Sequence, residues 1–178
     1  DEFNLYRTSD GLSWERLPHE NLWPIAASNS LIAALQGYGF NTTPQQLRFV
    51  VSHDNGETWL EGTLPPTSYG GFSEIAVCSQ GIFVPDGAVG KLFRSQDEGL
   101  TWDTIAPPGL YSYDLWVFED RLYAEWYSKM WRLDINSNGW ELVSPDFGDQ
   151  EYPMGMFISG NHILFSTSNY LWISNDNG

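Results

Sequence analysis

The sequence predicts an all-β fold assembled from repeated four-stranded antiparallel units, and three observations carry that expectation. The octapeptide pattern S-x-D-x-G-x-T-W occurs twice unchanged, as Ser52-His53-Asp54-Asn55-Gly56-Glu57-Thr58-Trp59 and as Ser95-Gln96-Asp97-Glu98-Gly99-Leu100-Thr101-Trp102. Trp14, Trp59, Trp102 and Trp140 recur at intervals of 45, 43 and 38 residues, the period of a supersecondary repeat. The apolar runs are short, end at turn-forming residues, and carry no helical periodicity.

Taken in order, Asn4 to Thr8 and Ser13 to Leu17 are two strands around an imperfect copy of the pattern, in which Gly11, Ser13 and Trp14 fall in register while Ser9 stands in the Asp position and the acid sits at Asp10. They read as the outer half of a unit, residues 1–17. The second unit, 18–63, supplies strands Leu22–Ser28, Leu31–Gly37, Leu47–Ser52 and Thr58–Thr63. The third, 64–106, supplies Phe72–Ser79, Ile82–Asp86, Lys91–Ser95 and Thr101–Ala106. The fourth, 107–144, has Tyr113–Glu119, Arg121–Tyr127, Met130–Ile135 and Gly139–Ser144, with Asn136-Ser137-Asn138 replacing the octapeptide turn. Its second strand is apolar on both faces, Leu122, Ala124 and Trp126 against Tyr123 and Tyr127, so it must be covered on both. The last unit, 145–178, gives Met154–Gly160, Ile163–Ser168 and Leu171–Ser174, and Ser174, Asp176 and Gly178 open a third copy of the pattern.

The residue types of the pattern are those of a hairpin turn. Glycine supplies a positive φ, Ser and Asp side chains bind the turn's own backbone amides, and tryptophan begins the return strand as a large apolar anchor. With these residues the chain resembles the Asp-box, or BNR-repeat, β-propellers, the sialidase-like superfamily. That resemblance implies a segment of a propeller built from four-stranded blades, with Ser52, Asp54, Gly56, Thr58, Trp59, Ser95, Asp97, Gly99, Thr101, Trp102, Ser174, Asp176 and Gly178 in structural roles away from the functional face. Strand counts of two, four, four, four and three leave a third strand at both ends, so the ends cannot complete one blade. The expectation is an arc of a larger ring, about seven blades by resemblance, whose open apolar faces are covered by further blades or an associating chain.

Composition narrows the function. With 23 acidic against 8 basic residues the net charge is −15, a field that repels phosphate backbones and disfavours nucleic-acid binding. No apolar run approaches the ~18 residues of a membrane-spanning helix. Cys78 is the single cysteine, set among apolar neighbours as a buried thiol. His19, His53 and His162 lie in different units without ligand spacing, so neither a metal site nor a cofactor is expected. Asp134 to Gly139 fits the opening of a calcium loop, but Pro145 stands where the bidentate Glu belongs and a hairpin turn is the better reading.

Strand topology places the connections between second and third strands, and between units, on one face. That face collects Tyr38, Phe40, Tyr69, Tyr111, Tyr113, Asp114, Asp146, Phe147, Asp149, Glu151 and Tyr152, aromatic platforms beside carboxylates, the combination that stacks on sugar rings and accepts hydroxyls. The first expectation is a non-catalytic recognition or scaffold module of an exported, extracellular or periplasmic protein, binding a glycan or a protein partner. A propeller-type glycoside hydrolase is the alternative, with catalytic residues unassigned, and Asp114, Asp146, Asp149 and Glu151 are candidate acids by loop position. Among hydrolases a xyloglucanase-like enzyme, which uses acids only, is favoured over a sialidase. A sialidase needs an arginine triad, whereas Arg7, Arg48, Arg94 and Arg132 fall in third strands at repeating positions. A third reading resembles the propellers that assist assembly of a membrane protein complex.

Overall fold

The structure, a computed structural model, describes residues 4–28, 31–37, 47–66, 72, 74–86, 90–107, 114–126, 129–134, 136–144, 153–160 and 162–175, with the backbone alone at 18–20 and 153. The described residues are all-β. The first sheet pairs β1 (Asn4–Arg7) with β2 (Glu15–Glu20). The second runs in sequence order through β3 (Leu22–Ser28), β4 (Leu31–Gln36), β5 (Arg48–Ser52) and β6 (Leu60–Glu61). The third comprises β7 (Ala76–Cys78), β8 (Gly81–Asp86), β9 (Lys91–Ser95) and β10 (Asp103–Ile105). The fourth comprises β11 (Leu115–Phe118), β12 (Arg121–Trp126), β13 (Lys129–Asp134) and β14 (Gly139–Leu142). The fifth is β15 (Pro153–Ser159), β16 (His162–Thr167) and β17 (Leu171–Ser174). Every pairing is antiparallel between neighbours in sequence, the meander that short turns dictate.

The core lies between sheets. Ala33, Leu35, Phe49 and Val51 of the second sheet pack on Phe72, Val77, Ile82 and Val84 of the third. The other face of the third sheet, with Ala76, Phe83, Leu92 and Ile105, packs on Leu115, Leu122, Ala124 and Leu133 of the fourth. Tyr123, Met130 and Val143 then meet Ile158, Ile163 and Phe165 of the fifth. The two-faced apolar strand β12 is therefore covered on both sides, as its sequence requires.

The octapeptide turns are closed by their own side chains. Gly56 N–H donates to Ser52 Oγ at 2.9 Å, and the Asp54 carboxylate accepts Thr58 N–H at 2.8 Å and Thr58 Oγ1 at 2.6 Å. Gly99, Ser95, Asp97 and Thr101 repeat these bonds at 2.7, 2.8 and 2.6 Å. The first turn corrects the alignment read from its tryptophan. Thr8 takes the serine role, donating to Asp10 and accepting Gly11 N–H at 2.8 Å, and Asp10 accepts Ser13 N–H at 2.8 Å. The turn is the same device shortened by one residue between acid and glycine, with Ser9 in the place of His53 and Gln96 rather than of the acid. The tryptophan does not begin the return strand either. Because Asp54 and Asp97 hold the threonine amides, pairing resumes only at Leu60 and Asp103, and Trp59 and Trp102 are half-buried ahead of it.

Trp59 Nε1 donates within its own turn, to Gly56 O at 3.1 Å, whereas the later tryptophans join sheets. Trp102 Nε1 donates to Thr63 O at 2.9 Å, and Trp140 Nε1 to Ala106 O at 2.8 Å, in each case four residues beyond the previous tryptophan of the series. Thr63 N–H in turn donates to Gly99 O at 2.7 Å. Gly99 has φ +84°, and a Cβ there would lie 2.1 Å from the Phe49 ring of the preceding sheet. Gly11 has a similar φ of +71° but open space around it. Gly99→Ala should therefore cost about 3 kcal/mol or more, from a left-handed backbone and overpacking together, whereas Gly11→Ala should cost about 1 kcal/mol from the backbone alone. Urea denaturation of both variants measures the difference, and equal losses would count against the packed turn.

Candidate functional site

At the end of the stack opposite the octapeptide turns, three acids from two sheets come together. Glu74 stands just before β7, Asp114 just before β11, and Glu125 next to the end of β12. The register Leu115↔Ala124 brings Asp114 across from Glu125, whose N–H donates to Asp114 O at 2.9 Å. Glu74 reaches from the third sheet to the fourth, where its carboxylate accepts Leu115 N–H at 2.8 Å. Burial pushes the Glu74 carboxyl well above its ordinary range, to about 7, with the charge of Asp114 adding to the shift and the Leu115 bond opposing it. Burial and then the Asp114 charge push Glu125 up to about 7 as well. Near neutral pH the site thus offers two carboxyls that both donate and accept, next to the exposed side chain of Asp114. Such a group can hydrogen-bond hydroxyls and amides or attract a cation, and it has the protonation states of an acid–base pair.

Of the residues expected at this face, Asp114 is at the site. Tyr38, Phe40, Tyr69, Tyr111, Tyr113, Asp146, Phe147, Asp149, Glu151 and Tyr152 lie outside the described residues, as do Asp176 and Gly178. Ser174 ends β17. Glu74 and Glu125 went unselected in the sequence. Glu125 left a trace there, as an acid inside the apolar run from Leu122 to Trp126.

At the turn end the carboxylates serve the fold. Asp120 accepts Ser79 N–H of the third sheet at 2.7 Å, and its neighbour Glu119 accepts Gly160 N–H of the fifth at 2.7 Å. Hydrogen bonds from Thr58 bring Asp54 down to about 2, and Asp97 is lowered by the same bonds from Thr101. The repeating arginines are of two kinds. Arg48 and Arg132 pair with Glu61 and Glu141 within their own sheets, at 2.9 and 2.6 Å, while Arg7 and Arg94 reach the next sheet's turn. Among the described residues no grouping of His, Cys, Asp and Glu could hold a metal ion.

No protein-family model matches the chain, and no curated protein matches it. Solved structures do. A structure of YCF48 bound to a D1 peptide superposes with a TM-score of 0.64 at 16% identity, covering 98% of this chain and 60% of that one. YCF48 from Cyanidioschyzon merolae gives 0.64 at 12%, covering 98% and 64%. The GH74 enzyme of Niastella koreensis gives 0.63 at 16%, covering 98% and 33%. These are propeller proteins, and the stacked antiparallel sheets described above are propeller blades. The chain spans about 60% of the length of the YCF48 chains it matches.

The opposite pKa shifts fix how stability varies with pH. The turn aspartates Asp10, Asp54, Asp97 and Asp134 have folded values below the unfolded value of about 3.9, so their contribution is present above that pH and is lost as pH falls through the folded values. Glu74 and Glu125 have folded values above the unfolded ~4.3, so their contribution is full below that pH and is lost as pH rises to about 7. Urea midpoints should peak near pH 4 to 5 and decline toward 7, and Glu125→Gln should flatten the decline. A midpoint still rising between pH 5 and 7 would contradict the assignment.

Proposed function

We propose that the chain is an arc of a larger Asp-box β-propeller that works by recognition, binding a protein or glycan partner at the end of the blades that carries Glu74, Asp114 and Glu125. One observation carries this reading: those three acids converge where neighbouring blades begin, while Asp54, Asp97, Asp120 and Glu119 at the opposite end are committed to turns and to joining blades. The likeness to a propeller solved with a bound peptide supports a protein partner. The larger ring is supported by apolar side chains standing open on the first and last sheets, Tyr6 and Trp14 on one and Phe157, Leu171 and Ile173 on the other.

A cationic partner segment suits the site best. As pH rises from 6 to 8, Glu74 and Glu125 lose their protons, and affinity for a lysine-rich peptide should rise roughly three- to tenfold, the scale of one or two added charges in a half-solvated site. Calorimetric titration at both pH values measures this, and Glu125→Gln should reduce the rise. A pH-independent affinity would remove the three acids from the binding site. The raised values of Glu74 and Glu125 beside Asp114 also favour a second reading, a glycoside hydrolase with a protonated acid and a carboxylate. Incubation with xyloglucan separates the two: recognition predicts no new reducing ends, and release that disappears in both Glu125→Gln and Asp114→Asn would establish the hydrolase instead.

A further inference from the structure

One residue position differs in what it offers the following blade at the turn end. It is the residue directly before the Ser or Thr that opens each turn, at the end of the third strand of its blade: Arg7 before Thr8, Val51 before Ser52, Arg94 before Ser95. Arg7 donates through Nη1 to Asn55 O at 3.3 Å and pairs with Glu57, both in the turn of the following blade. Arg94 is 8% exposed and donates through Nη1 to Asn138 Oδ1 at 2.9 Å, again in the following turn. At both interfaces a guanidinium reaches the following turn, and at the first it does so along the wall of a cavity of about 730 Å³ that Trp14, Ile32 and Asn55 also line.

Between the second and third blades the position is Val51, which lies in the core with Val77 and Ile82 and sends no donor to the following turn. There the structure has a pocket of about 320 Å³, with Leu31, Val77 and Ile82 as its apolar wall and His53, Gln96 and Glu98 at its polar rim. The geometry points to a guest cation: we infer that this pocket receives the guanidinium of an arginine from a partner protein, seated between the two blades as Arg7 and Arg94 are seated between theirs.

The acceptors match that guest. Glu98 occupies the same place in its turn as Asn55, with φ 61° against 57°, so its carbonyl is the counterpart of the one that Arg7 uses. Its carboxylate adds a negative charge at the rim, and Gln96 a side-chain carbonyl. The apolar wall suits the methylene stem, since long cationic side chains lay their stems on apolar surface and keep the head group among acceptors. A planar five-donor head group engages several diverging acceptors, which an ammonium does less well. An anion is excluded by Glu98. What holds Glu98 now is His53, with Nε2 at 2.9 Å from Oε2 across the two turns. Their side chains are 45% and 49% exposed, so this pair is worth little and a bidentate guest displaces it.

The test uses Nα-acetyl-arginine amide and Nα-acetyl-lysine amide as probes, titrated into the protein while the methyl signals of Leu31, Val77 and Ile82 and the ring signals of His53 are followed by NMR. The arginine probe should give saturable shifts confined to these residues and bind at least several-fold more tightly than the lysine probe. Glu98→Gln should weaken it at least fivefold. His53→Ala, which frees Glu98, should tighten it a few-fold. Val51→Arg, which supplies the donor from within, should abolish the shifts; because it also sets a cation in the core beside Val77 and Ile82, the two rim variants carry the decision. The absence of saturable shifts, equal binding of the two probes, or an affinity indifferent to both Glu98→Gln and His53→Ala would each overturn the assignment.

Discussion

The stack depends on an exchange of backbone groups between neighbouring blades. The Gly99 carbonyl accepts the Thr63 amide, and the Trp102 indole returns a hydrogen bond to the Thr63 carbonyl. The buried Gly99 carbonyl would otherwise be costly to leave unpaired, and the exchange ties the edge of one sheet to the turn of the next. It also explains why the outermost strand β6 has only two residues. At one end Asp54 takes the Thr58 amide into the turn, and at the other Thr63 is given over to the following blade. A short edge tied down at both ends offers little template for a foreign strand. The device that joins blades therefore also protects them.

Carboxylates divide by environment. In the turns, exposed aspartates accept two to three local donors and are held low; between blades, burial with another acid nearby holds Glu74 and Glu125 high. The formal charge of −15 counts all of them as ionised. With two groups near half-protonation at pH 7, the field at the blade end carrying Asp114 is weaker by ~1 charge than the count implies, and it grows with pH where the turn end stays constant.

Legibility in the sequence follows the range of the interactions. The two perfect turns could be read in full because each bond joins residues within four positions, Ser52 to Gly56 and Asp54 to Thr58. Strand order was equally accessible, since each strand pairs with its neighbour in sequence. The first turn was misaligned because counting back from Trp14 cannot place a one-residue gap; the spacing of Thr8 and Asp10, identical to that of Ser52 and Asp54, was the better guide. The acid site was only glimpsed. Asp114 could be assigned to the right face from topology, but the bond from Glu74 to the Leu115 amide spans 41 residues and depends on how two sheets stack. Periodicity within one sheet carries no information on that.

The turn end shows what a repeat can and cannot vary. The glycine with positive φ and the paired Ser and Asp recur because each serves the closure of its own turn, so a loss is felt locally and at once. The preceding strand residue faces the next blade, and that boundary has more than one solution: a guanidinium buried against Asn138, one clamped by Glu15 and Glu57, or a valine with the two turns spanned by His53 and Glu98. The valine solution keeps the apolar contact with Val77 and Ile82 and gives up the buried charge, whose desolvation is a real cost for Arg94, where the Nε atom has no hydrogen-bond partner. Freed of that cost, the interface between the second and third blades keeps its core and leaves acceptors facing an opening. A position that varies without disturbing the turn is where a repeated scaffold can acquire a site, because the residues that hold the fold do not have to change with it.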